Sequence, residues 1–427
     1  MNDRAALQRR LPSIDEEVTF SFEDLFFSRT DGKGRISSGN IVFQRVSGFH
    51  WEELLGRPHN IVRHPDVPRA VFWLLWERLK KGMATGAYVK NKAKDGRYYW
   101  VYAIITPIDG GYLSVRLKPG SEIFSIIPAE YARLAEAEAV ERLTPSQSAE
   151  RLLQRLSELG FSTYDAFMGV CLTHETINRN KCLGRTTPAA VLLYDQLMSI
   201  SRRLLDAATA IVTSYQLYRF VPLNLTVQAS RLGEPGKAIS TISHNYEALS
   251  EQIRLGLDEF MLAAQRVSQT IHEGAFLLAT SEAQDEIARF FEREVPTPQI
   301  DHALEAAYLT AQRDLFHRDA IATIFCVRNE VRIFSENVFE IKRLGSGLAA
   351  IRVMGKVEAG RLDTAVLSEL LKDLEAFQEV LQKGLERIVD LSGSVDFSVT
   401  QLLVAGMAKE SSLPLSAEDA GAATSHP

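Results

Sequence analysis

The segment Pro58-His59-Asn60-Ile61-Val62-Arg63-His64-Pro65-Asp66-Val67-Pro68 gathers two imidazoles, a guanidinium, a carboxylate and three prolines into eleven residues. Proline fixes φ and removes a backbone donor, so this is a shaped loop and not a helix interior. A loop with one cation, one anion and two imidazoles suits the binding of a charged cofactor. A solvated inter-helix loop is the competing reading, and the eleven residues alone leave both open. Cys171, His174 and Cys182 are the other grouping with ligand chemistry. No fourth ligand sits at a usual zinc spacing, and buried thiols with a surface histidine fit the pattern better. Three cysteines, with Cys326 the last, are too few and too odd a number for a disulfide framework.

The loop must be held by the elements around it. Glu23 to Thr30 and Arg35 to Ser38 read as strands flanking the turn Asp31-Gly32-Lys33-Gly34. Ala70 to Lys80 has helical spacing, with Phe72, Leu75, Trp76 and Leu79 along one side. After the turn Lys94-Asp95-Gly96 comes a strand from Arg97 to Pro107. Tyr98, Trp100, Tyr102 and Ile104 share one of its faces, and Tyr99, Val101, Ala103 and Ile105 the other. Asp109-Gly110-Gly111 turns the chain into a last strand, Tyr112 to Leu117. A strand pair, short helices and three further strands is the order of a PAS domain, a five-stranded antiparallel sheet cupping a pocket against helices.

Beyond residue 120 the strand signals end. Leu197, Ile200, Leu204, Ala207, Ile211, Ser214, Tyr218, Val221 and Leu225 alternate steps of three and four, an a/d seam. Gly233-Glu234-Pro235-Gly236 cannot continue a helix. The seam resumes at Ile239, Ile242, Tyr246, Leu249, Ile253, Gly256, Phe260, Ala263 and Val267, giving an antiparallel hairpin. Periodicity does not separate a signalling hairpin from any other helical-bundle hairpin. A faint repeat aligns Leu223, Val227, Gln228, Ala229, Arg231 and Leu232 with Val353, Val357, Glu358, Ala359, Arg361 and Leu362, which either duplication or two similar amphipathic helices would produce. The expected fold class is α+β: an N-terminal PAS domain followed by an all-α coiled-coil and helical-hairpin region. Its parts are an N-terminal cap over 1–19, the PAS domain over 20–118 and a helical linker over 119–187. The hairpin follows over 188–298, a second helical region over 299–405, and a disordered tail over 406–427.

The chain of 427 residues is 24% charged and 46% apolar, typical of a globular protein too long for one core. A net charge of −6 with mixed signs gives no pull toward nucleic acid or anionic lipid. No apolar run reaches the roughly 20 residues needed to cross a bilayer, and no signal peptide is recognisable, so a cytoplasmic protein is expected. A P-loop or Rossmann glycine loop, a nucleophile elbow and HExxH are all missing from the sequence, which argues against an enzyme.

Residues Asn40 to Arg116 resemble the sensory PAS domain of bacterial aerotaxis receptors. The resemblance is carried by Val46-Ser47-Gly48-Phe49, Pro58-His59-Asn60, Val62-Arg63-His64-Pro65-Asp66, Trp76, Val89-Lys90-Asn91, Tyr99-Trp100-Val101 and Ser114-Val115-Arg116. The chain departs from it at Met83-Ala84, where that family has Pro-Trp. The resemblance implies FAD as cofactor, with Asn40, His59, Arg63, His64, Asp66, Trp76 and Asn91 as its binding set. Arg63 is then expected to face phosphate, with His64 and Asp66 shaping the wall. Asn40 as a helix cap, Trp76 as plain core and Asn91 as a strand-edge residue are the structural alternatives.

Leu223 to Ile239 resembles the signalling tip of chemoreceptors, with Asn224, Ala229, Arg231, Gly233, Glu234 and Gly236 at the family's own residues. Gln228 stands for a glutamate, Leu232 for an alanine and Ile239 for a phenylalanine, and Pro222 enters the ascending arm. This resemblance implies a homodimer whose tip, through Asn224, Gln228, Arg231, Gly233, Glu234 and Gly236, binds the chemotaxis histidine kinase and its coupling protein. Together the two imply a redox or oxygen sensor. The competing expectation is a non-catalytic PAS module that holds another ligand, haem included, with helices used for oligomerisation or scaffolding.

Overall fold

The computed structural model describes residues 13–410 except 363–364; the expected disordered tail lies almost wholly outside them. Five strands form one antiparallel sheet: β1 (Phe26–Asp31), β2 (Ile36–Gly39), β3 (Thr85–Lys92), β4 (Tyr98–Ile108) and β5 (Gly111–Leu117), in the order β2-β1-β5-β4-β3. Between β2 and β3 lie α1 (Ile41–Ser47), α2 (Trp51–Leu54), a 3-10 turn (His59–Val62) and α3 (Arg69–Lys80). The helices that follow are α4 (Ile127–Val140), α5 (Pro145–Glu158), α6 (Tyr164–Cys182), α7 (Ala189–Tyr218), α8 (Val221–Arg231), α9 (Lys237–Glu292), α10 (His302–Leu362) and α11 (Ala365–Glu410). The expected PAS sheet followed by helices is present.

The chain divides into two compact units. The first comprises the residues up to Asp195 together with His272–Ala320. Here α4 to α6, expected as a linker, pack on the sheet, and so do the ends of α9 and α10. The face of β4 that carries Trp100, Tyr102 and Ile104 is covered by these helices. Tyr102 Oη donates to the carbonyl of Met168 at 3.2 Å, and Tyr131 Oη to that of Tyr88 at 2.9 Å. Phe27 meets Phe291 at 5.5 Å, and Arg29 reaches Glu305. Gly86 and Gly169 permit the closest approaches. A Cβ on Gly86 would lie 2.3 Å from Tyr102 Oη, and one on Gly169 2.5 Å from the carbonyl oxygen of His272.

Glu175 fastens this layer. It is fully buried and accepts from Tyr88 Oη at 2.8 Å, the Gly120 N–H at 2.7 Å, the Ser121 N–H at 3.1 Å and Ser121 Oγ at 2.7 Å. One carboxylate on α6 thus ties the back of β3 to the segment leaving β5.

The second unit comprises Gln196–Ile271 and the residues from Ile321 on. Its core takes Leu204, Ile211 and Leu225 from the first arm, Tyr246, Ile253 and Phe260 from α9, Phe334, Ile341 and Leu348 from α10, and Leu374, Leu381 and Ile388 from α11. The arms expected to pair therefore pack as a bundle of helices from one chain. Positions 130 apart have matching burial: Val221 and Ile351 are buried, as are Ala229 and Ala359, while Leu223, Val353, Val227 and Val357 are exposed. Pro222 falls in the first turn of α8, after a break at Arg219–Phe220, where its missing N–H leaves no helical bond unmade. No helix among the described residues is long and apolar enough to cross a membrane.

Candidate functional site

The Pro58–Pro68 loop is stitched in place at both ends. The His59 N–H donates to the carbonyl of Gly34 at 2.9 Å and the His64 N–H to that of Lys90 at 3.3 Å. Arg63 also forms an isolated backbone bridge with Asn91. Pinned between the β1–β2 turn and β3, the loop forms one wall of a cavity and not a free surface turn.

That cavity has a volume of about 280 Å³. Its floor is the inner face of the sheet: Ser28 and Thr30 on β1, Val89 and Asn91 on β3, Ala103 and Ile105 on β4, and Tyr112, Ser114 and Arg116 on β5. Phe72, Leu75, Trp76 and Leu79 of α3 close it from above, and His59, Asn60 and Arg63 from the side. The second face read along β4, from Tyr99 to Ile105, is thus the pocket face.

Four of the seven expected cofactor residues meet here: His59, Arg63, Trp76 and Asn91. Trp76 stands at the rim, 37% exposed and edge-on to Tyr112 at 5.4 Å. The Arg63 guanidinium lies over Phe72, 3.7 Å from its centroid, and partial burial lowers its pKa. The other three lie elsewhere. Asn40 caps α1: its Oδ1 accepts from the N–H groups of Phe43 at 3.2 Å and Phe27 at 2.9 Å, and its Nδ2 donates to the carbonyl of Leu25 at 2.7 Å. With these bonds its amide braces β1 against α1. His64 is buried outside the cavity and accepts from the Asp66 N–H at 3.2 Å. Asp66 is exposed and pairs with Lys90 Nζ at 2.8 Å; it lies beside His64, not Arg63.

Arg116 is the residue that sequence reasoning left without a role. It is 5% exposed, and its Nη2 contacts Ser28 Oγ at 2.9 Å and His59 Nε2 at 2.7 Å. Burial lowers its pKa to about 10. Because a guanidinium only donates, the His59 Nε2 accepts and the ring proton sits on Nδ1. His59 stacks on Phe43 at 5.7 Å. Burial first, and then the Arg116 charge, hold its pKa well below that of free histidine. The cue in the sequence was a lone cation on a strand whose other residues are apolar or small.

The neutral state of His59 gives a pH dependence. The unfolded chain takes a proton near pH 6.5 that the folded chain refuses, so stability falls as pH drops below about 6.5, by up to about 1.4 kcal/mol per unit. Thermal melts at pH 7.5 and 5.5 should show a smaller acid loss for His59→Gln than for the parent. Equal losses would mean that His59 charges in the folded state. Comparing the two chains cancels the opposite trend from Glu294, whose pKa burial raises to about 7.

At the hairpin turn, Gly233 has a φ of 65° and a 3-10 turn spans Glu234–Gly236. Asn224, Arg231, Gly233 and Glu234 are exposed, Gln228 is half-buried and Gly236 is buried. A Cβ on Gly236 would lie 1.9 Å from the Ala229 carbonyl oxygen, so only glycine closes the turn so tightly. Glu234 pairs with Lys237 at 2.5 Å. Beside these residues α8 exposes Leu223 and Val227, and Phe220 just before it is exposed too. Cys171 is buried in α6, and His174 instead faces Asp195 at 3.1 Å.

Comparison with known proteins places this geometry. The chain is 39% identical over 138 residues to the aerotaxis receptor of Escherichia coli, covering 31% of this chain and 27% of that one. It is 29% identical over 115 residues to the biofilm dispersion protein BdlA of Pseudomonas aeruginosa, covering 26% and 28%. Both similarities lie over the PAS part, and the chain spans under a third of either relative's length. A solved light-state structure of the blue-light photoreceptor Aureochrome1 LOV aligns with 25% of this chain and 90% of that one, at 20% identity and a TM-score of 0.23. Residues 39–115, which hold the loop, α3, β3, β4 and most of β5, match the family described as PAS fold.

Proposed function

We propose that this protein is a non-catalytic sensor that binds FAD in its PAS cavity and signals redox or oxygen state through its helices. The observation that carries it is the convergence of His59, Arg63, Trp76 and Asn91 on one cavity, in the part of the chain similar to the aerotaxis receptor. The residues fit a flavin ring. Phe72, Leu75, Leu79, Val89 and Ile105 provide apolar walls, while Arg116 and Ser114 hold buried polar atoms without partners. At about 280 Å³ the cavity is at the small end for ligand sites, so it takes the ring and leaves the charged tail at the rim near Arg63 and Lys33. Haem fits less well: His59 is the one imidazole lining the cavity, and its Nε2 is taken by Arg116.

When bound, a flavin supplies reversible electron transfer. The chain's part is to orient the ring, exclude water and respond to its charge. Signalling requires that the two charge states of the ligand favour different protein conformations. On this reading the hairpin turn, with Asn224, Gln228, Arg231, Gly233, Glu234 and Gly236, engages a chemotaxis kinase and its coupling protein. The bundle that would present it is closed within one chain, and a homodimer adds a second copy. Purified protein should be yellow, with bands near about 450 and 370 nm typical of oxidised flavin. A colourless preparation that FAD cannot reconstitute overturns the cofactor reading. A pull-down with the coupling protein should succeed for the parent and fail for Glu234→Lys; failure of the parent overturns the output reading.

A further inference from the structure

Arg116 is a buried cation with no anion. Among the described residues it has no ion-pair partner, and its Nη1 has no hydrogen-bond acceptor. Its contacts through Nη2 are a hydroxyl and a neutral imidazole, neither of which offsets a full charge. Removing a guanidinium from water without an opposing charge is costly, and chains keep such groups where a ligand completes them. Ser114, two residues away on the same strand face, also has a buried hydroxyl without a partner. Both side chains line the cavity, and Ser28 Oγ stands beside them.

We propose that Arg116, with Ser114 and Ser28, forms an anion-receiving floor. It takes the acceptor-rich edge of a planar heteroaromatic ring that carries negative charge in at least one of its states. The phosphate-bearing tail has a separate cation in Arg63 at the cavity side. A diphosphate at the enclosed floor would lose far more hydration than a ring carbonyl or ring nitrogen. His59 serves as the neutral spacer that positions Arg116 while Phe43 backs both groups, the guanidinium 5.6 Å from that ring. The identity of the ligand as a flavin rests on the function proposed above; the anion-receiving floor rests on Arg116 itself.

The test uses full-length Arg116→Met and Arg116→Lys. Met keeps the packing on Phe43 and removes the charge, so the ligand-free Met variant should melt higher than the ligand-free parent. Affinities for FAD and for riboflavin, which lacks phosphate, should both fall roughly ten- to a hundredfold in the Met variant and recover partly in the Lys variant. A ligand-free Met variant that melts at or below the parent overturns the proposal, because Arg116 is then a brace for Ser28 and His59. Loss of FAD binding with riboflavin binding intact also overturns it, since the contact would be to phosphate. If the parent binds neither flavin, the flavin reading falls and the ligand-free melts alone decide: a higher melt for the Met variant supports the floor, and an equal or lower one overturns it.

Discussion

Glu175→Ala should lower the stability of the first unit by about 3–5 kcal/mol, because it leaves several buried donors without an acceptor at roughly 1–3 kcal/mol each. Four donors converge on that carboxylate, from Tyr88, from the Gly120 N–H, and from both the N–H and the hydroxyl of Ser121. Alanine leaves them facing a void, with the Tyr88 hydroxyl sealed between β3 and α6. Burial raises the Tyr88 pKa far above its usual value, so the phenol stays neutral and cannot relieve the loss by ionising. Glu175→Gln keeps the shape and one acceptor and should lose less. Trp51, Trp73, Trp76 and Trp100 are all the tryptophans of the chain, and all lie in this unit. Their fluorescence during urea unfolding therefore reads it separately. A loss below about 1 kcal/mol, within the range of an ordinary single hydrogen bond, would mean that the back of the sheet admits water.

Glu305→Ala should cost about 2–3 kcal/mol, the worth of hydrogen bonds to a charged group. Glu305 on α10 is buried, and the Arg29 guanidinium grips it from β1: Nε lies 2.9 Å from each carboxylate oxygen and Nη2 2.7 Å from one. Arg29 also lies over Tyr308 at 5.2 Å, so part of its packing survives the substitution. This pair links the sheet directly to a helix 276 residues downstream in sequence. The swapped chain Arg29→Glu/Glu305→Arg should recover part of the loss, and a double-mutant cycle on the same tryptophan signal measures it. A coupling energy near zero would reduce the contact to surface decoration.

Much of the architecture was readable because periodicity reports burial. The alternation of Tyr98 to Ile105 gave a strand with two apolar faces. Which face lined the pocket was not readable, because helices bury the other one as deeply. The a/d steps from Leu197 to Val267 likewise marked a helical seam, yet a seam does not say which helix fills it. Here α10 and α11 of the same chain do, and the matched burial of Ala229 with Ala359 accords with the faint repeat. At the site, the loop residues His59 and Arg63 were found because prolines and charges stand out against core sequence. Asn40 lies off the pocket because three backbone groups converge on its amide. Arg116 escaped notice because an arginine in a strand reads as solvent-facing; its apolar and small neighbours mark it as unusual, but its burial depends on β1 and the loop closing over it.

Phe27 stays without Phe291, and Arg29 without Glu305, until the end of α9 and the start of α10 arrive. About two hundred residues separate the last strand from Ala320, and a ribosome adding roughly 5–20 residues per second needs roughly 10–40 s to supply them. During that interval α4 to α6 can cover Trp100 and Tyr102, while the β1 end of the back has no cover. A fragment cut after Leu117 would lack α4 to α6 as well, leaving the whole aromatic back bare, and should be isolated as aggregate while the whole chain is not.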